Sequence, residues 1–588
     1  MIFLNYHLIV INLFFSVLLL VCILFYKFIF PQKKINLLYI LIFVSLLPLI
    51  SLLRPGTFES GDFNIHIYRI MSFYSSLVEG HFMPSWAGQL NGTYGNPLFI
   101  FNYNFPYYFI SFFHLLGISF INSMKIYLGL AFFLSGIFMY FWVFILTKNK
   151  LAAFTSGIFY IFSPYHLVDY SFRATLGELT VFTITPLIFL FLSLYINKKK
   201  FLFLVFSSFF TALLFAAHPL VAIPIFAVTV IYAVFMEIVK NSYKSIFICV
   251  LWLFLGALSS TYLWVSFIIF AQYTFPAPPQ AIWFIPFVSL FYSPWLYGFL
   301  FQGHRGELAL FIGYTQILVV VLSIVLLAKN KIPKNIKPQY IFWIIILSTF
   351  LFFVHPSSKP IWNIFHSLIT LLATGRLLLP ISLCTSVIAG YFTYSFAKSR
   401  RKKVLIYIII LFTISSTILN WGHRTLIVDI NDSFLQKNLS KSTAYEGVTA
   451  YFLNTKWADI NNFWFSDAPT KNLEILSGNA TVVPLKRTSV QHTYIIDAKT
   501  SLEIKENTLY FPGWTLKSDN KHIYIYPAKR GVINAKLNAG LHYVELYYED
   551  IFAYKFIKTI SLILFCGIAF LLIFLSTKQL FKRNKLFF

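Results

Sequence analysis

Acidic residues are scarce in this chain. Asp and Glu together number 20 of 588 residues, and all charged types make up only 11%. A soluble globular chain is about one quarter charged, so a water-facing surface of ordinary composition is excluded. Cysteine is sparse too. Cys22, Cys249, Cys384 and Cys566 all fall inside apolar runs, which excludes a disulfide framework and a cysteine metal site and leaves them as small core hydrophobes. The Walker loop and the GxSxG, HExxH and GxGxxG motifs are absent, so nucleotide-driven and serine-triad chemistry has no support. No internal repeat is obvious, which disfavours transporter folds built from repeated halves.

What is abundant is apolar length. The chain is 58% hydrophobic, with a mean hydropathy of +0.74, and runs of ~20 apolar residues, enough to cross a hydrocarbon core, recur along most of it. The 46 basic residues give a formal charge of +26, but they sit in short clusters between apolar runs. Lys148 and Lys150, Lys198 to Lys200, and Lys398 to Lys403 are examples. That is the positive-inside pattern, which orients spans, and nucleic acid is not an expected partner. The stretch 8–30 is longer than a signal-peptide core and lacks a basic start and a small-residue cleavage site, so it reads as a retained first span.

With basic clusters placed inside, spans fall near 8–30, 36–53, 122–147, 151–168, 177–196, 201–217, 219–237, 246–270, 307–329, 339–355, 377–397, 404–421 and 557–577. This makes about 13 crossings. Residues 98–120 are apolar enough to span, but a crossing there would put Lys148 and Lys150 outside. Their aromatics suit an interfacial or re-entrant stretch; the alternative is a true span paired with a crossing missed elsewhere. The expected outer loops are 54–121, 162–176 and 271–306. Residues 422–555 differ in kind. They are polar and alternate with period two, as in Ile533, Ala535 and Leu537 before a turn at Gly540, then Val544 and Leu546, which indicates half-buried antiparallel strands. The expected fold is therefore a polytopic α-helical membrane domain over 1–421, an outer β-sandwich-like domain over 422–555, and a last span with a basic cytoplasmic tail over 556–588.

The uncommon residues gather in the loops. In FNIHIYRIMSFYSSLVEGHF, Phe63, Ile67, Ile70, Tyr74 and Leu77 recur at helical spacing, predicting an amphipathic helix on the membrane surface. Asp62, His66 and Arg69 stand at i, i+4 and i+7, on one stripe. A carboxylate, an imidazole and a guanidinium held so can supply a base or metal ligand beside a phosphate-binding cation. The plainer reading is that Asp62 caps the helix and Arg69 snorkels to headgroups. The second loop, SPYHLVDYSFRATLGE, packs His166, Asp169, Arg173 and Glu178 into thirteen residues. Asp169 and His166 are candidates to join Asp62 and His66 around a divalent cation, Mg²⁺ or Mn²⁺. The alternative is a structural Arg173–Glu178 or Asp169–Arg173 pair. His218, His304, Arg305, Glu307 and Arg376 complete the outer ionisable set. Arg376 reads as either a snorkelling anchor or a cation for a lipid phosphate.

At these residues the sequence resembles a known group. ESGDFNIHIYRI with YGNPLFIFNYNFPYYF, then SPYHLVDYSFRATLGE, AHPLVAI, IGYTQILVV, YFPGWTL and GVINAKLNAGLHYVELYY are similar to bacterial polytopic proteins labelled "6-pyruvoyl-tetrahydropterin synthase-related", which look like members of the GT-C superfamily of membrane glycosyltransferases. The resemblance covers most of the chain in order. It implies a polyprenyl-phosphate sugar donor used at the outer face of the bacterial plasma membrane, an acidic catalytic residue in the first outer loop, matched by Asp62, and second-loop cation ligands, matched by Asp169 and His166. The sequence departs from the pattern at LLATGRLLLP around Arg376, where a Phe-Pro-Trp-Arg type of motif is usual. It also lacks an Asp-x-Asp pair in the second loop.

The expected function is thus a GT-C-type glycosyltransferase that inverts the anomeric configuration and modifies an envelope glycan, lipid or protein acceptor. Asp62, His66 and Asp169 are the catalytic candidates and Asp62, His166 and Asp169 the cation ligands. Arg69, Arg173, His218 and Arg376 would meet the donor phosphate, and Glu178 would be structural or touch substrate. The alternatives are a lipid-linked glycan transporter or flippase, whose sites would lie at mid-membrane, and a non-catalytic envelope-assembly scaffold.

Overall fold

Apolar runs this long can satisfy their backbone polar groups in lipid only as helices, and the chain folds accordingly. The computed structural model describes residues 2–275, 284–291, 311–364, 373–423, 426–440, 454–458 and 468–584. Seven helices are long and apolar enough to cross a membrane: Leu8–Ile29, Phe120–Thr147, Leu176–Lys198, Pro219–Val239, Lys337–Val354, Thr374–Phe396 and Phe552–Gln579. Two bent pairs, Lys150–Ile161 with Pro164–Arg173 and Lys244–Leu258 with Thr261–Ile269, raise the number to nine if each is one span. The other expected crossings fall on the shorter helices of Leu37–Leu53, Phe201–Ala217, Tyr314–Ala328 and Arg400–Ser415. By length and composition seven to nine helical segments among the described residues can cross a membrane, and the expected thirteen is not reached by that measure. His304, Arg305 and Glu307 lie outside the described residues, as does most of loop 271–306.

Residues 98–120 form no single span. Helices Leu98–Phe101 and Phe105–Leu115 are separated by Asn102–Asn104. The second has 11 residues, about 16 Å, half of a ~30 Å hydrocarbon core. The helix Phe63–Val78 forms where expected but is not a surface element. Phe63, His66, Ile67, Arg69, Ile70, Met71, Ser72, Phe73 and Ser76 are all buried. The broad apolar face packs under the neighbouring loop instead of lying against lipid, with Phe73 edge-on to Phe99 and Tyr107.

The C-terminal strands form two antiparallel sheets. One runs in the order Leu473–Ser477, Leu502–Leu509, Val532–Leu537, Ile525–Pro527; the other runs Ala480–Arg487, Gln491–Ala498, Gly540–Tyr548, Trp514–Ser518, Lys521–Ile523. Ile504, Ile533 and Ala535 of the first share a buried core with Tyr494, Ile496, Leu516, Val544 and Leu546 of the second. After Gly540 the buried positions Val544, Leu546 and Tyr548 alternate as the sequence indicates, whereas before it Val532 to Ala535 are all buried, and the turn is a crossover between sheets. Val532–Leu537 pairs with Leu502–Leu509, and Gly540–Tyr548 pairs with Gln491–Ala498.

The first loop docks onto these sheets. Trp86, 1% exposed, stacks on Tyr548 at 5.6 Å and meets Trp514 edge-on at 5.4 Å. Gly95, at φ +70°, passes so close that a Cβ there would lie 2.3 Å from Trp86 Nε1. The Leu509 amide donates to the Tyr94 carbonyl, and the Ser489 amide to Glu79 Oε2. A two-stranded ribbon, Thr57–Phe58 with Leu426–Ile427, adds a further tie.

Beneath this interface Glu506, 1% exposed, accepts from Arg487, from the Tyr494 hydroxyl at 3.0 Å, and contacts His492 Nδ1 at 2.9 Å. Arg487 also donates to the Thr93 carbonyl of the first loop. Burial alone would raise the Glu506 pKa, but the adjoining His492 and Arg487 hold it down at about 2 against an ordinary 4.5. A depressed folded-state carboxyl contributes stability above its unfolded pKa and loses it as pH falls towards the folded one. The stability advantage of the wild-type chain over Glu506→Gln should therefore be constant above pH 4.5 and shrink towards pH 2, as read by thermal unfolding across pH. A pH-independent difference would contradict it.

Candidate functional site

The first and second loops are joined through their backbones. The Gly61 amide donates to the Phe172 carbonyl and the Asp62 amide to the Arg173 carbonyl, both at 2.8 Å. This fixes the start of helix Phe63–Val78 beside residues 168–173. Ser60 Oγ accepts the Phe63 amide at 3.0 Å, while Asp62 makes no side-chain cap. The capping role available to Asp62 is thus taken by serine. The Asp62 carboxylate is half-buried and has no hydrogen bond or ion pair among the described residues. Burial raises its pKa, opposed by the charges of Arg173 and Arg69.

Arg69 does not snorkel. It is 8% exposed and donates to Asn102 Oδ1 at 3.2 Å and to the Tyr107 hydroxyl. His66 is held on both sides, Nδ1 to Tyr107 Oη at 2.9 Å and Nε2 to Tyr103 Oη at 3.2 Å. In a neutral imidazole one of these nitrogens donates and the other accepts, so the ring orients the two tyrosines. Both nitrogens of this expected catalytic residue are thus engaged by tyrosine hydroxyls. Tyr103 in turn lies beside His218, with ring centroids 5.0 Å apart, and over Gly177. A Cβ there would come within 2.7 Å of Tyr103 Cζ and 2.8 Å of the Ala217 carbonyl. His218 caps helix Pro219–Val239 by accepting the Val221 amide at 3.4 Å.

The second loop supplies the charged knot. A widened helical turn, Val168–Arg173, ends in Ala174 at φ +53°, a left-handed conformation costly for alanine. The reversal lets Arg173 reach both Asp169 Oδ1 at 2.7 Å and Glu178 Oε1 at 2.9 Å. Glu178 stands in the first turn of Leu176–Lys198, where a helix N-terminus favours an anion. It also meets Arg376 Nε at 3.2 Å and accepts from the Tyr165 hydroxyl at 2.6 Å. Arg376 likewise follows a left-handed alanine, Ala373 at φ +48°. Arg173 and Arg376 are therefore both partnered by protein carboxylates, and the structural-pair reading applies to Arg173, Asp169 and Glu178.

Every candidate but one converges here. His166 is 0% exposed and lies between Phe132 and Phe182, at 4.7 and 4.1 Å. This corrects the expected cation set of Asp62, His166 and Asp169. His166 faces aromatic rings, Asp169 is taken by Arg173, and no cluster of three His, Cys, Asp or Glu side chains suited to a metal occurs among the described residues. These donors do not fit a resident Mg²⁺ or Mn²⁺. Sequence reasoning missed Asn102, Tyr103, Tyr107 and Tyr165. The available signal was NYN interrupting an apolar stretch.

No family model and no curated protein matches the chain. A likeness is found to the cryo-EM structure of the arabinofuranosyltransferase AftD from Mycobacteria, at 14% sequence identity and a TM-score of 0.42. It covers 65% of this chain and 27% of that one, so the chain spans about a quarter of that neighbour's length.

Removing one partner of a buried ion pair leaves uncompensated charge, at a cost of about 3–5 kcal/mol. Glu178→Ala strands Arg376 and leaves Arg173 with Asp169 alone, and should lower stability by about that much, while Glu178→Gln, which still accepts from Tyr165, should lose less. Thermal unfolding in nanodiscs would measure both, and an unchanged midpoint for the alanine variant would refute the knot's structural role.

Proposed function

We propose that the protein is a GT-C-type glycosyltransferase of a bacterial plasma membrane. It works at the outer face with a polyprenyl-phosphate-linked sugar donor and passes the sugar to a hydroxyl of an envelope glycan, lipid or protein. The observation that carries the proposal is the Asp62 carboxylate, half-buried, unpaired among the described residues, and flanked by Arg69 and Arg173. Its place in the first loop is where the family resemblance puts a catalytic acid.

Asp62 takes the proton of the acceptor hydroxyl. The freed oxygen forms a bond to the anomeric carbon as the bond from that carbon to the phosphate oxygen breaks, so polyprenyl phosphate leaves with the electron pair and the configuration inverts. Burial raises the Asp62 pKa, which makes it a better base than a solvated aspartate. Asp62 lies beside the charges of Arg69, Arg173 and Arg376, and when it takes up a proton the net charge of the cluster rises by one, at the moment the leaving phosphate gains negative charge. Transition-state charge is thereby met by groups already in place. Every step uses groups of the chain itself.

In nanodiscs with a panel of radiolabelled undecaprenyl-phosphate sugars, Asp62→Asn is expected to lower turnover by about 10²–10⁴-fold. Equal turnover in wild type and Asp62→Asn would remove Asp62 as the base. The folded-state pKa is raised, so above it the buried charge costs stability. Asp62→Asn should accordingly unfold no lower than wild type at neutral pH. The wild-type rate should fall on acidification through a pKa above the ordinary 3.8. Turnover should persist in EDTA, and its loss there would bring a cation into the reaction.

A further inference from the structure

The hydrogen bonds behind Asp62 run in one direction, and they end on Tyr103. The order starts at Asn102. Arg69 can only donate and the Tyr103 carbonyl can only accept, so a single orientation of the Asn102 amide suits both. Its Oδ1 takes the Arg69 guanidinium at 3.2 Å, and its Nδ2 donates to the Tyr103 carbonyl and the Tyr107 hydroxyl, each at 3.0 Å. Tyr107 Oη thus accepts from both Asn102 and Arg69. Those two bonds fill its lone pairs, so its own proton is the one shared with His66 Nδ1 at 2.9 Å.

His66 then has no choice of tautomer. Burial and the charge of Arg69 hold its pKa well below the ordinary 6.5, so the ring is neutral. Nδ1 accepts, the ring proton sits on Nε2, and that nitrogen donates to Tyr103 Oη at 3.2 Å. Among the described residues Tyr103 Oη makes no other hydrogen bond, so its own proton is left over. Burial, with Tyr107 and Asp62 beside it, raises the pKa of the phenol well above the ordinary 10, and the proton stays on.

His66 and Tyr107 are buried, whereas Tyr103 is half-buried, so the donors lead outward from the core. They lead to Asp62. The His66 amide donates to the Asp62 carbonyl at 2.9 Å, one helical turn away, and Asp62 is the first of the charged side chains acting on the Tyr103 hydroxyl. The Tyr103 ring is clamped over Gly177 and beside His218, with centroids 5.0 Å apart. An oxygen bound here meets a carboxylate that can only accept and a phenol with only a donation left. A neutral hydroxyl complements both, since it has one proton to give and lone pairs to receive.

Resting on the glycosyltransferase reading, we propose that Tyr103 touches the acceptor substrate, donating to its attacking hydroxyl oxygen while that hydroxyl's proton passes to Asp62. Tyr103 keeps its own proton throughout, and the oxygen's other lone pair attacks the anomeric carbon. His66 is a positioning residue that fixes the direction in which Tyr103 donates.

The proton order can be read without turnover. In the full chain in nanodiscs with ¹⁵N-labelled histidine, the NMR signal lost in His66→Gln should report a neutral ring protonated at Nε2. A proton on Nδ1 would make Tyr103 the donor to His66 and overturn the proposal. Turnover of the radiolabelled undecaprenyl-phosphate sugars reads the contact. Tyr103→Phe, which keeps the ring beside His218, should lower it about 10²-fold, the cost of a misplaced reactant. His66→Gln should lower it less, and adding it to Tyr103→Phe should lower it no further, because His66 acts through Tyr103. Equal turnover by wild type and Tyr103→Phe, or losses that multiply in the double variant, would overturn the contact. If the wild type turns over no donor while Nε2 carries the proton, the glycosyltransferase reading fails and the proton order stands, so the two failures are told apart.

Discussion

The carboxylate of Glu178 is the point on which the site depends. It receives Arg173, Arg376 and Tyr165 at once, and those partners come from two separate stretches of the chain. In a low-dielectric surround an unpaired member of such a knot is costly. Two left-handed alanines and one widened helical turn bring the members within reach of one another, and Asp169 Oδ2 is left buried without a hydrogen-bond partner. Strain of this kind survives only where the surroundings over-determine it. Here the surroundings are the mutual attraction of the charges themselves.

Around the knot the structure sorts its polar groups by duty. Asp169 and Glu178 occupy Arg173, and Asn102 and Tyr107 occupy Arg69. Tyr103 and Tyr107 occupy both nitrogens of His66. Asp62 alone keeps an uncommitted carboxylate among the charged members of the cluster, and it is fixed by main-chain bonds instead of side-chain ones. A base needs this combination of an immobile backbone and an unspent side chain.

Much of this was legible in the sequence. Apolar run length marked the helices, because lipid leaves the backbone no alternative. Period-two alternation marked the sheet domain, because half-buried strands need it. Crowding of Asp62, His66, Arg69, Asp169, Arg173 and Glu178 into two loops marked the site. What stayed hidden depends on tertiary placement. His166 and His66 look alike as loop histidines, yet one rests between phenylalanines and the other between tyrosine hydroxyls. The helix after Asp62 carries an apolar stripe that suits lipid and protein equally, and only the packing of Phe99 and Tyr107 against it decides for protein. The crossover at Gly540 was hidden for a similar reason, since alternation fixes which face is inward but not which sheet a strand joins.

Helix Phe63–Val78 joins the two regions as a single unbroken rod. Its first residue follows Asp62, and its last precedes Glu79, which is bonded to the sheet domain through Ser489. Sixteen residues of helix, about 24 Å, transmit displacement with little give, and no hinge interrupts them. One continuous element thus runs from the Asp62 backbone to the contact with the sheet domain, so the two ends of the first loop are placed by the same helix.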